Sequence, residues 1–338
     1  MQPLVSILIP AFNAERWIAD TIKSALGQTW QRKEIIIVDD GSADRTLSIA
    51  RQFASKEVSV ITQPNQGATS ARNKALSLSQ GGFIQWLDAD DLLASDKIGK
   101  QMEAVTRYPS KRTLLSSAWG SFFYRFDRAK FSVTPLWNDL SPLEWLLRKL
   151  DQNLSMQTGV WLVSRELTTA AGPWDSRLSY DDDGEYFVRV VLASDGIRFL
   201  PEAKVFYRRG LDSLSYIGRS SRKLESLLLS TQLQVGYLRS LEDGENVRSA
   251  CLKYLQTTLP YFYPERPDLV KRLEQIAASV GGHLETPRMS WKYAWIQKLF
   301  GWTPAKLTQL YYNQCKLSVM RSWDKTMFQF ETSKFPNI

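Results

Sequence analysis

Histidine and cysteine are nearly absent from this chain. Its 338 residues include one histidine, His283, and two cysteines, Cys251 and Cys315. Zinc sites built on several imidazoles are therefore excluded, and Ser-His or Cys-His nucleophile pairs have almost nothing to draw on. Two cysteines do not make a disulfide framework, so a reduced, cytoplasmic setting is expected. No run approaches the ~20 apolar residues that span a bilayer. The opening residues have no basic lead and too short an apolar stretch for a signal peptide. They are expected to form a strand that begins the fold. His283, in Gly281-Gly282-His283, reads as a loop residue. Chemistry is therefore expected from carboxylates, with a hard metal ion as the natural companion.

What is present is ordinary for a folded protein: 43% apolar and 23% charged residues. The net charge of +8 suggests an anionic partner. Nucleic acid, phosphate-bearing substrates and a lipid surface all qualify on charge alone.

The first 110 or so residues alternate in pattern. Apolar runs at 5–9, 34–38, 58–62 and 83–87 read as strands. Between them lie helical patterns: one capped by Asn13 with Trp17, Ile18, Ile22 and Leu26; one with Leu47, Ala50 and Phe53; and one over 69–79. A fourth follows Ser95. This predicts an α/β fold with a mostly parallel sheet flanked by helices. The middle of the chain is mixed, with a β-like stretch over 113–126, helices over 141–150 and 181–193, and strands over 159–164, 197–200 and 204–207. From about Ser220 the pattern is helical throughout, with Leu224, Leu227, Leu228, Val235 and Leu238 at helical spacing. Two regions are predicted, a sheet domain over 1–215 and an all-helical region over 216–338.

The strand ends carry acids. Val38 leads into Asp39-Asp40, and Leu87 leads into Asp88-Ala89-Asp90-Asp91. Ligands of open α/β sheets sit at the carboxyl ends of strands. In extended chain Asp88 and Asp90 would share a face and could hold a divalent cation against phosphates. The alternative is that these acids are turn residues and local caps. The loop Asn65-Gln66-Gly67-Ala68-Thr69 suits a phosphate at a helix N-terminus, with Arg72 one turn in. In Tyr180-Asp181-Asp182-Asp183-Gly184-Glu185, the helix dipole accounts for one or two acids but not four. Crowded carboxylates raise one another's pKa, which suits a general base.

Taken together, Val5-Ser6-Ile7-Leu8-Ile9-Pro10-Ala11-Phe12-Asn13, Ile37-Val38-Asp39-Asp40-Gly41-Ser42, Gly67 with Ala71-Arg72-Asn73, and Leu87-Asp88-Ala89-Asp90-Asp91 resemble the family 2 inverting glycosyltransferases. Asp182-Asp183 with Arg189 extends the resemblance to about residue 210. It implies a GT-A type domain that binds a nucleotide-diphosphosugar donor and passes one sugar to a saccharide or lipid-linked acceptor. By that resemblance Pro10 and Phe12 line the base pocket, and Asp40 accepts from a uracil imide. Arg72 lies near the nucleotide and Asp88 approaches the ribose. Asp90, in the Asp-X-Asp motif, ligates Mg²⁺ or Mn²⁺. Asp183 matches the catalytic base, with Asp182 where relatives have Glu. Gly172-Pro173-Trp174-Asp175 departs from the usual Gly-Gly-Phe-Asp on the acceptor side.

Two rival functions fit the sequence less well. A nucleotidyltransferase would want a glycine-rich basic loop after the first strand, where Pro10-Ala11-Phe12-Asn13 stands. A nucleotide-sugar-binding protein without catalysis would have no use for Asp183. Nucleic acid is not expected as a partner, because cations interleave with aromatics only near the C-terminus. There, seven cations lie between Arg288 and Lys325 against the single acid Asp324, and Trp291, Trp295 and Leu299 follow i, i+4, i+8. Three readings stay open for that region: an anionic membrane surface on the inner face of the membrane, a binding partner, or a helical lid packed on the catalytic domain. Trp161, Trp174 and Tyr207 are candidates for acceptor stacking or for the core.

Overall fold

The molecule is described from a computed structural model covering residues 2–107, 110–210 and 220–334. Strand β1 (Val5–Ala11) is buried on both faces, as its unbroken apolar run requires. It lies between β2 (Lys33–Asp39) and β4 (Phe83–Trp86), parallel to both, and β2 pairs in parallel with β3 (Val58–Thr62). The connections are α1 (Ile18–Leu26), α2 (Thr46–Arg51) and α3 (Ala68–Leu78). Strand order thus runs outward from β1 to β3, then returns across β1 to β4. That reversal opens a crevice beyond the carboxyl ends of β1 and β4.

Past β4 the sheet is mixed. After β5 (Leu92–Leu93) and α4 (Lys97–Arg107) comes β6 (Thr113–Phe122), which carries the short β7 (Lys130–Phe131) at its edge. Then follow α5 (Pro142–Asp151), β8 (Leu162–Ser164), α6 (Arg165–Ala171), α7 (Asp182–Ala193) and β9 (Gly196–Arg208). The full order is β3-β2-β1-β4-β8-β6-β9-β5. Most paired residues stand in parallel ladders, because β6 and β9 pair in parallel along nearly their whole length. The two strands expected over 197–200 and 204–207 are one strand, interrupted in register opposite Ser117 and Ala118.

Asn13 does not cap α1. Its backbone sits at φ 49° and its side chain accepts from the Ala43 N–H at 2.9 Å. The helix starts at Ile18, after a turn closed by Trp17 N–H on the Ala14 carbonyl. Ser141 does cap α5, in a reciprocal pairing with Glu144.

The helical region comprises α8 (Ser221–Leu241), α9 (Glu245–Phe262), α10 (Pro267–Ser279), α11 (Trp291–Phe300) and α12 (Trp302–Lys334). All five apolar residues predicted for α8 are buried, and they join the same core as the strands. Burying each stabilises by roughly 1.5–3 kcal/mol. The boundary expected near residue 215 lies outside the described residues.

The far end of α12 returns to the sheet domain. Asp324 accepts from the backbone N–H groups of Tyr124 and Arg125 and from Arg125 Nε, at 2.8–3.2 Å, and Glu331 accepts from Arg125 Nη1. Phe328 lies against Tyr124. Asp324→Ala would strand three donors at once, a cost of about 1–3 kcal/mol. Amide exchange along α12 should then quicken roughly ten- to hundredfold while β1 and β2 keep their protection. Unchanged exchange in α12 would show that this contact does not hold the helix.

Candidate active site

The crevice floor begins with the end of β1. Pro10 is half-buried and Phe12 is 49% exposed, a large ring left bare where β1 gives way to a loop. Asp40, just past β2, is buried. Its carboxylate accepts from Gln63 Nε2 at 2.7 Å and from the backbone N–H groups of Gln66 and Gly67 at 3.0 and 2.8 Å. Asp40 therefore fastens the small-residue loop that leads into α3. Gly41 sits at φ +69°, and a Cβ there would stand 2.8 Å from the Asn65 nitrogen of that loop.

Arg72 projects from the first half of α3 and is almost fully buried. Nη2 donates to Asp88 Oδ1 at 2.9 Å, and Nη1 pairs with Asp182. The guanidinium lies 4.3 Å over the Trp174 ring, and Nε has no partner among the described residues. Burial alone would lower the Arg72 pKa, but the carboxylates of Asp182 and Asp88 outweigh it and the charge is held. One cation thus joins the end of β4 to the start of α7.

The acids after β4 are not in extended chain. The strand ends at Trp86, and Asp88–Asp91 form a turn closed by the Asp91 N–H on the Asp88 carbonyl. Asp88 and Asp90 therefore do not share a face by strand alternation, which holds only in a strand. The turn still brings charge together. Burial first, and Asp88 second, push Asp90 up to about 6. Asp91 is turned inward and accepts from the Arg208 N–H at 2.8 Å. Arg208 is buried between Trp17 and Phe122 and donates Nε to the Asp90 carbonyl, so it pins the turn from behind.

A divalent ion fits Asp88 and Asp90 in charge, since their mutual repulsion is what a cation relieves. Among the described residues no cluster of three or more His, Cys, Asp or Glu side chains could hold a metal. Two carboxylates are too few for a closed site, so a bound phosphate and water would have to complete the shell.

The acidic turn before α7 divides its work. Asp181 stands in left-handed backbone at φ 55°, and its Oδ2 accepts from Ser230 Oγ and Gln234 Nε2 of α8, at 2.6 and 2.7 Å. Gln234 Oε1 in turn accepts from the buried Lys149 Nζ at 2.7 Å. A Cβ on Gly184 would meet Asp181 Oδ1 at 2.1 Å, so glycine is required for this close approach. Glu185 binds Arg189 and Tyr237. Asp182 takes Arg72. That leaves Asp183, which no hydrogen bond or ion pair holds among the described residues. It is half-buried beside Asp182, and burial, then Asp182 and Asp181, push it up to about 7.

The predicted residues Asp88, Asp182, Asp183 and Arg72 thus meet in one place, with Asp90 on the adjoining turn. Trp161 and Trp174 are core: Trp174 stacks on Tyr186 at 4.0 Å and supports Arg72 from below. Tyr207 packs edge-on against Trp119. Ser226, Ser230, Gln234 and Lys149 went unrecognised in the sequence. For Ser226, Ser230 and Gln234 the signal was a polar row at i, i+4, i+8 beside the leucines of one helix.

Residues 6–156 match the family model described as glycosyl transferase family 2. The putative teichuronic acid biosynthesis glycosyltransferase TuaG of Bacillus subtilis is 43% identical over 105 residues, 30% of this chain and 42% of that protein. The UDP-Glc:alpha-D-GlcNAc-diphosphoundecaprenol beta-1,3-glucosyltransferase WfgD of Escherichia coli is 36% identical over 105 residues, 31% of this chain and 42% of that protein. The chain therefore spans about two fifths of the length of these relatives. The structure of S. aureus TarS 1–349 in complex with UDP-GlcNAc superimposes with a TM-score of 0.66 at 17% identity, over 82% of this chain and 81% of that one. Residues 6–156 thus match a glycosyl transferase family 2 domain, and the chain shares the GT-A fold of TarS.

Proposed function

We propose that this protein moves one sugar from a nucleotide-diphosphosugar to an acceptor hydroxyl with inversion at the anomeric carbon. The observation that carries this reading is Asp183: a carboxylate with no partner among the described residues, raised toward neutrality, beside an arginine held by Asp88 and Asp182. A base with a pKa near the working pH is well matched to taking a proton from a hydroxyl, and such a group contributes roughly 10²- to 10⁴-fold. Asp182 holds Arg72, and Arg72 fixes Asp88, so base and donor side are set by one cation.

Pro10 and the exposed Phe12 offer an apolar seat for the base of the nucleotide. Asp40 already accepts three hydrogen bonds, and a carboxylate has about four acceptor positions. The remaining one suits an imide N–H, which favours a UDP-sugar. Asp88 and Asp90 would hold Mg²⁺ or Mn²⁺, which neutralises charge on a departing diphosphate when bound. The acceptor is a saccharide or lipid-linked glycan in cell-surface polysaccharide assembly. The relatives named for teichuronic acid and for a diphosphoundecaprenol acceptor support that class. No helix among the described residues is long and apolar enough to cross a membrane. The proposed place is the cytoplasm, peripheral to the inner face of the membrane.

Three outcomes follow. In a nucleotide-sugar panel read by thermal shift, a UDP-sugar should stabilise the protein more with Mn²⁺ than with EDTA, and Asp90→Ala should erase that difference. Full transfer in EDTA would remove the metal from the account. Asp183→Asn should cut turnover by at least ~10²-fold with nucleotide affinity nearly unchanged. Wild-type turnover in that variant would pass the role to a neighbour.

The third concerns pH. Transfer should fall as pH drops through about 7, where Asp183 gains its proton. Stability moves the other way. The folded pKa is raised above the ordinary carboxylate value, so the folded state loses stability as pH rises from about 4 to about 7. Asp183→Asn should therefore melt higher than wild type at neutral pH, with the gap closing in acid. A variant that melts lower at neutral pH would mean that Asp183 is a structural charge.

A further inference from the structure

Neither the core nor the site uses the outer faces of α11 and α12. On α11, Trp291, Trp295 and Leu299 are 82%, 58% and 68% exposed. At about 100° per residue they form one stripe, with Lys292 and Lys298 on its two sides. On α12, Tyr312, Lys316, Val319 and Trp323 fall on one face by the same geometry, and Trp323 is 67% exposed. The face of α12 that docks on Tyr124 and Arg125, through Asp324, Phe328 and Glu331, is centred roughly a third of a turn further round. A lid reading needs these aromatics to pack on the catalytic domain. The helix instead docks through its acids and leaves the stripe outside.

Charge selects the occupant. Both acids of α12 are engaged by Arg125. Lys292, Lys298 and Lys316 are exposed, and none has an acidic partner among the described residues. A second copy of the chain, meeting this face with its own, would set lysine against lysine. An anionic headgroup layer meets the lysines with opposite charge and takes Trp, Tyr and Leu into its boundary. We propose that α11 and α12 seat the protein on an anionic lipid surface, lying in the headgroup plane. This deepens the reading of a lipid-linked acceptor, on which its purpose rests. Binding itself is read without donor or acceptor, so failure here and failure of the transferase reading are separable.

The test is flotation of the full-length protein with phosphatidylglycerol–phosphatidylcholine vesicles and with phosphatidylcholine alone. Flotation is expected only with the anionic vesicles, weakening as salt is added. Lys298→Gln and Lys316→Gln should each weaken it ~fivefold. Trp295→Ala combined with Trp323→Ala should abolish it with no change in melting temperature, since both rings are exposed. Absence of flotation at low salt would overturn the proposal, as would equal flotation with neutral vesicles. A dimer in sedimentation velocity that is lost with Trp323→Ala, without flotation, would assign the face to a second copy and overturn it too.

Discussion

The buried guanidinium of Arg72 is the constraint around which this site is organised. A cation taken out of water must keep its partners, and Arg72 has two: Asp88 at the end of β4 and Asp182 at the start of α7. Removing one member of such a buried cluster typically costs about 3–5 kcal/mol, because the remaining charge is left uncompensated. The pairing therefore fixes two carboxylates 94 positions apart in the chain, 182 against 88, relative to one helix. Trp174 beneath the guanidinium closes off solvent and fills the space that a less rigid residue would leave. Asp183 sits next to this arrangement and takes its position from it.

The helical region has a part in the same structure. Ser226 of α8 accepts from the N–H groups of Ser179 and Tyr180, while Ser230 and Gln234 hold Asp181. The left-handed turn at Asp181 points its carboxylate to α8, while Asp183 has no hydrogen bond among the described residues. Lys149, whose pKa burial lowers, reaches the network through Gln234 rather than by pairing with a carboxylate directly. The geometry around Asp183 thus depends on a helix beyond residue 220, and the shared core makes α8 a wall of the same unit.

Much of this was legible in the sequence because the period of burial is short-range. β1, β2 and β4 announce themselves as apolar runs, and α8 as leucines at helical spacing, since each faces one core. The acids at the strand ends were legible for a related reason: charge straight after a buried strand has few structural explanations. Contacts between distant segments were not legible. Nothing local shows that Arg72 reaches Asp182, that Asp40 is largely taken up by the Gly67 loop, or that Trp174 serves Arg72. The alternation rule misread Asp88 and Asp90 because the strand stops at Trp86 and a turn replaces the pleat. In the tail, the stripe on α11 was visible in the sequence, whereas the exposed Tyr312–Trp323 face of α12 follows from which face of that helix meets Arg125.

One carboxylate, Asp183, is proposed to activate an acceptor for direct displacement at the sugar. Stereochemistry tests it most directly. With an α-linked nucleotide sugar of gluco configuration as donor, the anomeric proton coupling of the transferred sugar, read by NMR, should report the β configuration. A product that keeps the α configuration would contradict the single-base displacement on which this account rests.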